Sequence, residues 1–201
     1  MLAVTFVSTN PGKYREVRAL LRPYGIRVRW KRRKLPEPQT AEIEEVVRSK
    51  LNAVRDVPGW VLVEDSGLFI PSLHGFPGVY SAHILDIWGF GPLFELLKTR
   101  PRSASFRAVA GVRKGRRIWL FRGEVRGRIA PRAAGKSGFG YDPIFIPEGE
   151  SRTFAQIPSE AKNERSHRSQ ALRAVGRMLA SIEARGGRRK PLRKQSTAPR
   201  S

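Results

Sequence analysis

The stretch LAVTFVSTNPGKYREVRALLRPYG, residues 2–25, changes pattern twice. Leu2 to Val7 is a β-rich run too short for a helix. Ser8-Thr9-Asn10-Pro11-Gly12-Lys13 is small and polar. Val17, Leu20 and Leu21 then recur at i, i+3 and i+4, with Gly25 as a stop signal. Asn10 suits a helix cap and Pro11 the first helical turn. The stretch therefore reads as strand, tight loop and helix, the unit from which α/β sheets are built.

The same reading extends outward. Arg27 to Trp30 is expected as a second strand, and Leu35 to Gln39 as a proline-punctuated loop. Thr40 is expected to cap a helix with Glu42, Glu44 and Glu45 in its first turns. The apolar stripe of that helix is Ile43, Val46, Val47, Leu51 and Val54. Gly59 to Val63 is an apolar strand expected to end in Glu64-Asp65-Ser66-Gly67. Residues 74–82 read as a loop, and Pro92 to Lys98 as a short helix. Ser103 to Val112 and Arg117 to Ile129 read as an antiparallel pair joined by a Lys114-Gly115 turn. A glycine-rich loop from Gly135 to Asp142 precedes a strand at Ile144 to Ile146. Pro158 to Glu183 reads as a loop entering one long helix. From there the pattern loses its period, so residues 1–184 are expected as the folded domain and 185–201 as a basic, disordered tail.

Composition bounds the function. The 201 residues carry 39 Lys+Arg against 17 Asp+Glu, a formal net charge of +22. At 40% hydrophobic the chain can bury a core. The absence of cysteine excludes a disulfide scaffold, a zinc–thiolate site and a cysteine nucleophile. No apolar run reaches a membrane span, and MLAVTFVSTN has no basic segment ahead of its apolar stretch. A cytoplasmic location is the expectation. The charge invites a nucleic-acid reading, but the cations are scattered, and removing the seven in the tail still leaves +15. Weak polyanion binding by the tail is the surviving form of that reading.

The acids say more because they are few. Aspartate occurs only at 56, 65, 86 and 142, and Asp65 and Asp142 lie in glycine-rich, apolar surroundings. Glu64 and Asp65 follow a buried strand, where open α/β sheets place ligands. Such a pair can bind Mg²⁺ and orient a water, although a solvated strand-end turn explains the same residues. Ser8 to Lys13 ahead of a helix is either an anion site or an ordinary capped helix with a surface lysine. Lys50 falls seven residues after Ile43 on the apolar face of its helix, where it snorkels or points at an anion. Glu37 is a lone loop acid. Ser137 to Asp142, with Phe139, Gly140 and Tyr141, suits a loop closing on a flat ring. Lys162-Asn163, with Ser166-His167-Arg168, groups donors. No Walker A loop exists, because Ala130 stands where its first glycine must precede Gly135-Lys136-Ser137. Together these are the parts of a nucleoside triphosphate hydrolase without a P-loop.

STNPGKYREV, LPEPQ, VEDSGL, GFPGVYSA, FGYDPIF and KNERSHRSQAL follow one another along nearly all of the chain except the tail. In these motifs the sequence resembles the inosine/xanthosine triphosphate pyrophosphatases, house-cleaning enzymes for non-standard purine nucleotides. Two positions depart from the pattern: Ala161, where a second glutamate is common, and His83, where arginine is common. The resemblance implies an α/β fold with a long mixed β-sheet flanked by helices and two lobes around a central nucleotide-binding cleft. It implies Mg²⁺-dependent conversion of ITP, dITP or XTP to the monophosphate and pyrophosphate, and a homodimer. Carried over by motif, Ser8, Thr9, Asn10 and Lys13 would bind the phosphates, with Lys50 and Ser66 near them. Glu37, Glu64 and Asp65 would hold the metal, and Asp65 would accept the proton of the attacking water. Phe139, Gly140, Tyr141, Asp142, Lys162, His167 and Arg168 would hold the base. A basic nucleic-acid-binding module, or a pyrophosphatase for another modified nucleotide, are the alternatives.

Overall fold

A computed structural model describes residues 1–187 of the chain. Its centre is a mixed sheet in the order β2-β1-β3-β5-β6-β7. The strands are β1 (Ala3–Val7), β2 (Arg27–Lys31), β3 (Trp60–Phe69), the two-residue β4 (Pro77–Gly78), β5 (Ser103–Lys114), β6 (Arg117–Ile129) and β7 (Phe145–Pro147). β2, β1 and β3 run parallel, while β3, β5, β6 and β7 alternate in direction. The helices are α1 (Pro11–Leu21), α2 (Ile43–Asn52), α3 (Ser81–Trp88), α4 (Gly91–Leu96), α5 (Ser159–Arg165) and α6 (His167–Gly187). α1 and α6 pack on one face of the sheet around Val4, Phe6, Leu62 and Leu172, and α2 on the other around Val61, Val63 and Val109. A third apolar cluster gathers Leu68, Ile70, Phe106, Phe145 and Phe154 with Leu93 of α4, at the far half of β3 and β5. The two ends of the long strands thus carry the two lobes that the resemblance implied.

The opening strand, loop and helix form as the sequence suggests. Asn10 caps α1, its side chain accepting from the Lys13 N–H at 3.0 Å, with Pro11 in the first turn. Several expectations need correction. β3 does not stop at Glu64; it runs to Phe69, because β5 pairs with it without a break from Trp60–Lys114 to Phe69–Ser105. Thr40 does not cap α2. Glu42 occupies the cap position, and the Thr40 hydroxyl instead accepts from the Glu42 N–H and donates to Glu45. Val54 packs in the core beyond the end of α2. The β5–β6 turn is Gly115-Arg116, one residue later than expected. The expected loop at 74–82 contains β4 and the start of α3. The expected long helix is split at Ser166, whose backbone is extended and whose hydroxyl accepts from the Ser169 N–H. α6 continues to Gly187, and the rest of the expected tail, 188–201, lies outside the described residues.

α6 begins very close to the sheet. A Cβ at Gly123 in β6 would stand 2.0 Å from the His167 carbonyl oxygen, so glycine there admits the first turn of α6. That contact sets where His167 and Arg168 enter the cleft.

Candidate active site

A cleft of about 930 Å³ opens between the lobes, and every site residue expected from the sequence lines it. At one end is the β1–α1 loop. Its Asn10 N–H donates to the Ser8 hydroxyl at 3.1 Å, and Lys13 leaves the first turn of α1 toward β3. In the floor, β3 presents Glu64, Asp65 and Ser66 from mid-strand rather than from a turn. Glu64 and Asp65 are adjacent, so their side chains leave opposite faces of the strand. Both are nonetheless buried, at 4% and 7% accessible. At the other end are the 135–142 loop and the start of α6.

The charged residues form one alternating chain. Glu37 meets the Lys50 ammonium at 2.9 Å, which meets Asp65 at 2.9 Å. Asp65 lies 3.7 Å from Lys13, and Lys13 lies 2.8 Å from Glu64. Glu64 pairs with Arg168 at 3.1 Å, and Arg168 pairs with Glu16 at 2.5 Å. Glu16 pairs with Lys162 at 2.8 Å, and Lys162 with Asp142 at 2.6 Å. Five carboxylates thus alternate with four cations from the rim to the 135–142 loop. Lys50 is the residue whose place on the apolar face of α2 had two readings, and here it points at carboxylates.

These neighbours move the proton affinities. Burial alone would raise the Glu64 carboxyl, but the Arg168 guanidinium and the Lys13 ammonium outweigh it and hold the group at about 2. Burial likewise opposes the lowering of Glu16, which Arg168 and Lys162 bring about. Burial would lower Lys50, yet Asp65 and Glu37 raise it. Asp142 goes the other way: burial raises it despite Lys162. His167 is held well below its ordinary value by burial and by Arg168, so its imidazole is neutral near pH 7. Burial, with Asp86 nearby, pushes Tyr141 up to about 12.

In the 135–142 loop, the Phe139 ring is the central apolar surface. Lys162 and Arg168 lie 5.0 and 5.3 Å from its centroid. A Cβ at Gly12 would come within 2.6 Å of the ring, so glycine at the start of α1 lets the 135–142 loop close on the β1–α1 loop. Asp142 accepts from the Phe139 N–H at 2.8 Å and so shapes this loop from within. The Arg168 guanidinium is engaged with Glu64, Glu16 and the Ser66 hydroxyl. His167 stacks on Phe106 at 4.8 Å, and its Nδ1 is buried without a partner, as is the Tyr141 hydroxyl. A neutral imidazole with an unmatched ring nitrogen has one hydrogen-bonding position to spare. Of the remaining histidines, His83 lines the cleft and His74 does not.

The sequence reading missed Glu16, whose carboxylate pairs with both Lys162 and Arg168. Its position beside Val17 on α1 gives a helix-face residue with no local signature; only the arrival of α5 and α6 makes it a site residue. It also missed Trp30, whose indole N–H donates to the Ser8 carbonyl at 2.8 Å.

The expected metal ligands Glu37, Glu64 and Asp65 are interleaved with Lys13 and Lys50 as they stand. Among the described residues, no group of three acidic, histidine or cysteine side chains is set to ligate a cation. The donor set is nonetheless all carboxylate oxygen, and the nine alternating side chains together carry one net negative charge. Both features fit a hard divalent cation.

The Ham1 family model matches residues 4–178. A protein named dITP/XTP pyrophosphatase from Pyrococcus horikoshii is 41% identical over 175 residues, covering 86% of this chain and 94% of that protein. Another of the same name from Methanopyrus kandleri is 45% identical over 174 residues, covering 85% and 93%. A solved HAM1 protein from Coxiella burnetii superposes with a TM-score of 0.77 at 29% identity, covering 90% of this chain and all of that one.

Proposed function

The chain belongs to the Ham1 family, and from that premise we propose that it hydrolyses dITP, ITP and XTP to the monophosphate and pyrophosphate. The observation that carries the reading is the cleft itself. One wall is a helix-capping loop with a lysine, the floor is a carboxylate–lysine array, and the far wall is an aromatic loop with a buried, unmatched imidazole.

The residues divide the work by position. The Gly12 N–H in the first turn of α1 and the Lys13 ammonium bind the polyphosphate, whose charge favours a helix N-terminus. Lys50 holds Asp65 by its Oδ1, leaving the other carboxylate oxygen to take a proton from a water attacking a phosphorus. Glu37, Glu64 and Asp65 would hold Mg²⁺, with Lys13 turning to the phosphates while Lys50 stays on Asp65. When bound, that ion supplies charge neutralisation on the phosphate oxygens. The purine lies against Phe139. His167, neutral and with Nδ1 free, donates to a 6-oxygen when that nitrogen carries the proton. An adenine amino group would meet that donor with another donor and leave both unpaired in a buried place.

The test is pyrophosphate release with Mg²⁺ from ITP, dITP, XTP, ATP and GTP, extended to modified pyrimidines. Preference for the 6-oxo substrates without a 2-amino group is expected. Equal turnover of ATP and ITP would overturn the reading, and a preference for a pyrimidine would move it to another house-cleaning reaction. No described helix is long and apolar enough to cross a membrane. A homodimer, a cytoplasmic location and weak polyanion affinity of residues 185–201 complete the proposal. Sedimentation of the purified chain tests the first, and polyphosphate binding before and after deletion of 188–201 tests the last.

A further inference from the structure

Trp30 does not line the cleft, yet it grips the cleft's phosphate end. It lies half-buried in β2, packed against the core that α1 covers. Its indole Nε1–H donates to the Ser8 carbonyl at 2.8 Å, where the chain leaves β1 and enters the loop. Its ring stacks on Tyr14 at 4.6 Å and 10°, where the chain has just entered α1 beyond Lys13. The next residue of β2 adds a third hold, since the Ser8 N–H donates to the Lys31 carbonyl at 3.2 Å. One side chain therefore ties the entrance of the loop to its exit.

The geometry of a peptide bond turns this grip into a direction. The Ser8 carbonyl and the Thr9 N–H belong to one planar trans peptide and point opposite ways. A carbonyl held toward the indole, away from the cleft, aims the Thr9 N–H toward it. That N–H donates to no acceptor among the described residues, and Thr9 lines the cleft. We propose that Trp30 is a positioning residue for polyphosphate binding: it fixes the Ser8–Thr9 peptide plane and, through Tyr14, the start of α1, so that the Thr9 N–H and Lys13 meet the phosphates together. This rests on the reading of residues 8–13 as the phosphate-binding loop.

Trp30→Phe keeps an aromatic ring for Tyr14 and removes the donor. Three constants separate positioning from general damage: the KM for dITP, the inhibition constant of inorganic tripolyphosphate, and that of inosine, which has the base but no phosphate. With the donor gone, the first two rise together by about fivefold to tenfold, the worth of one hydrogen bond. The inosine constant stays put, and kcat stays within about twofold. Tyr14→Leu, which removes the stack from the other side, gives the same signature and serves if Trp30→Phe folds poorly. Unchanged tripolyphosphate inhibition in either folded variant overturns the proposal, as does a parallel weakening of inosine. If the wild-type chain fails to turn over dITP but binds tripolyphosphate in a Trp30-dependent way, the reaction assigned above falls and the role of Trp30 stands. If it binds no tripolyphosphate, the role of Trp30 falls as well.

Discussion

Replacing Glu64 by glutamine isolates one link of the buried charge chain. The Glu64 side chain is fully enclosed, with Lys13 at 2.8 Å on one side and Arg168 at 3.1 Å on the other. Its carboxyl falls from an ordinary value of 4.5 to about 2. At about 1.36 kcal/mol for each tenfold change in proton affinity, that fall corresponds to about 3 kcal/mol of folding stability. The sign follows from the direction. A carboxyl held below its unfolded value stabilises the fold above pH 4.5, and the contribution drains away as pH falls toward 2. Glutamine has the shape of the protonated acid and cannot titrate. Glu64→Gln should therefore unfold in urea with about 3 kcal/mol less stability than wild type at pH 7 and pH 5. The difference should shrink at pH 4 and again at pH 3. A chelator in the buffer keeps the protein's own ion pairs as the only partners. A difference that is the same at pH 7 and pH 3, or absent at pH 7, would refute the assignment of that stability to the ionised carboxylate.

Asp65→Asn should lower pyrophosphate release by at least about 100-fold, the low end for a lost general base, with an unchanged circular dichroism spectrum. Near wild-type turnover would remove Asp65 from the proton-transfer step. Gly123→Ala forces a methyl to within 2.0 Å of the His167 carbonyl and should cost about 1–3 kcal/mol in thermal unfolding. Because α6 must move off the sheet, its discrimination between ITP and ATP should fall as well; unaltered discrimination would show that β6 does not set the position of His167.

Most of the site was legible because its residues arrive in short, local groups. The cap at Asn10, the acids after the apolar run of β3 and the aromatic-glycine loop each carry their chemistry within a few positions. What escaped needs a partner from elsewhere in the chain. Glu64 to Gly67 look like a strand end because glycine and acids interrupt the apolar run; the unbroken ladder with β5 keeps them in the strand. α3 escaped because its apolar residues do not form one buried stripe: only Ser81 is buried, while Ile87 and Trp88 face outward. The break at Ser166 had a local cue in the Ser-x-x-Ser spacing that caps α6, but continuous helix formers on both sides hide it. Glu16 becomes a site residue only through Lys162 and Arg168, roughly 150 positions away.

The alternating charges also bear on how such a site can change over time. Each interior member of the chain serves two neighbours, so a replacement at one position alters what the next two will tolerate. Neutralising Glu16 alone strands Lys162 and Arg168 with one carboxylate each fewer; neutralising Lys162 as well removes one of those complaints. Coupling between contacting positions of this kind typically amounts to about 0.5–3 kcal/mol. Variation in the cleft should therefore be epistatic: single charge losses are selected against, while compensated pairs pass, and the nine positions are inherited as a linked set rather than as nine independent ones.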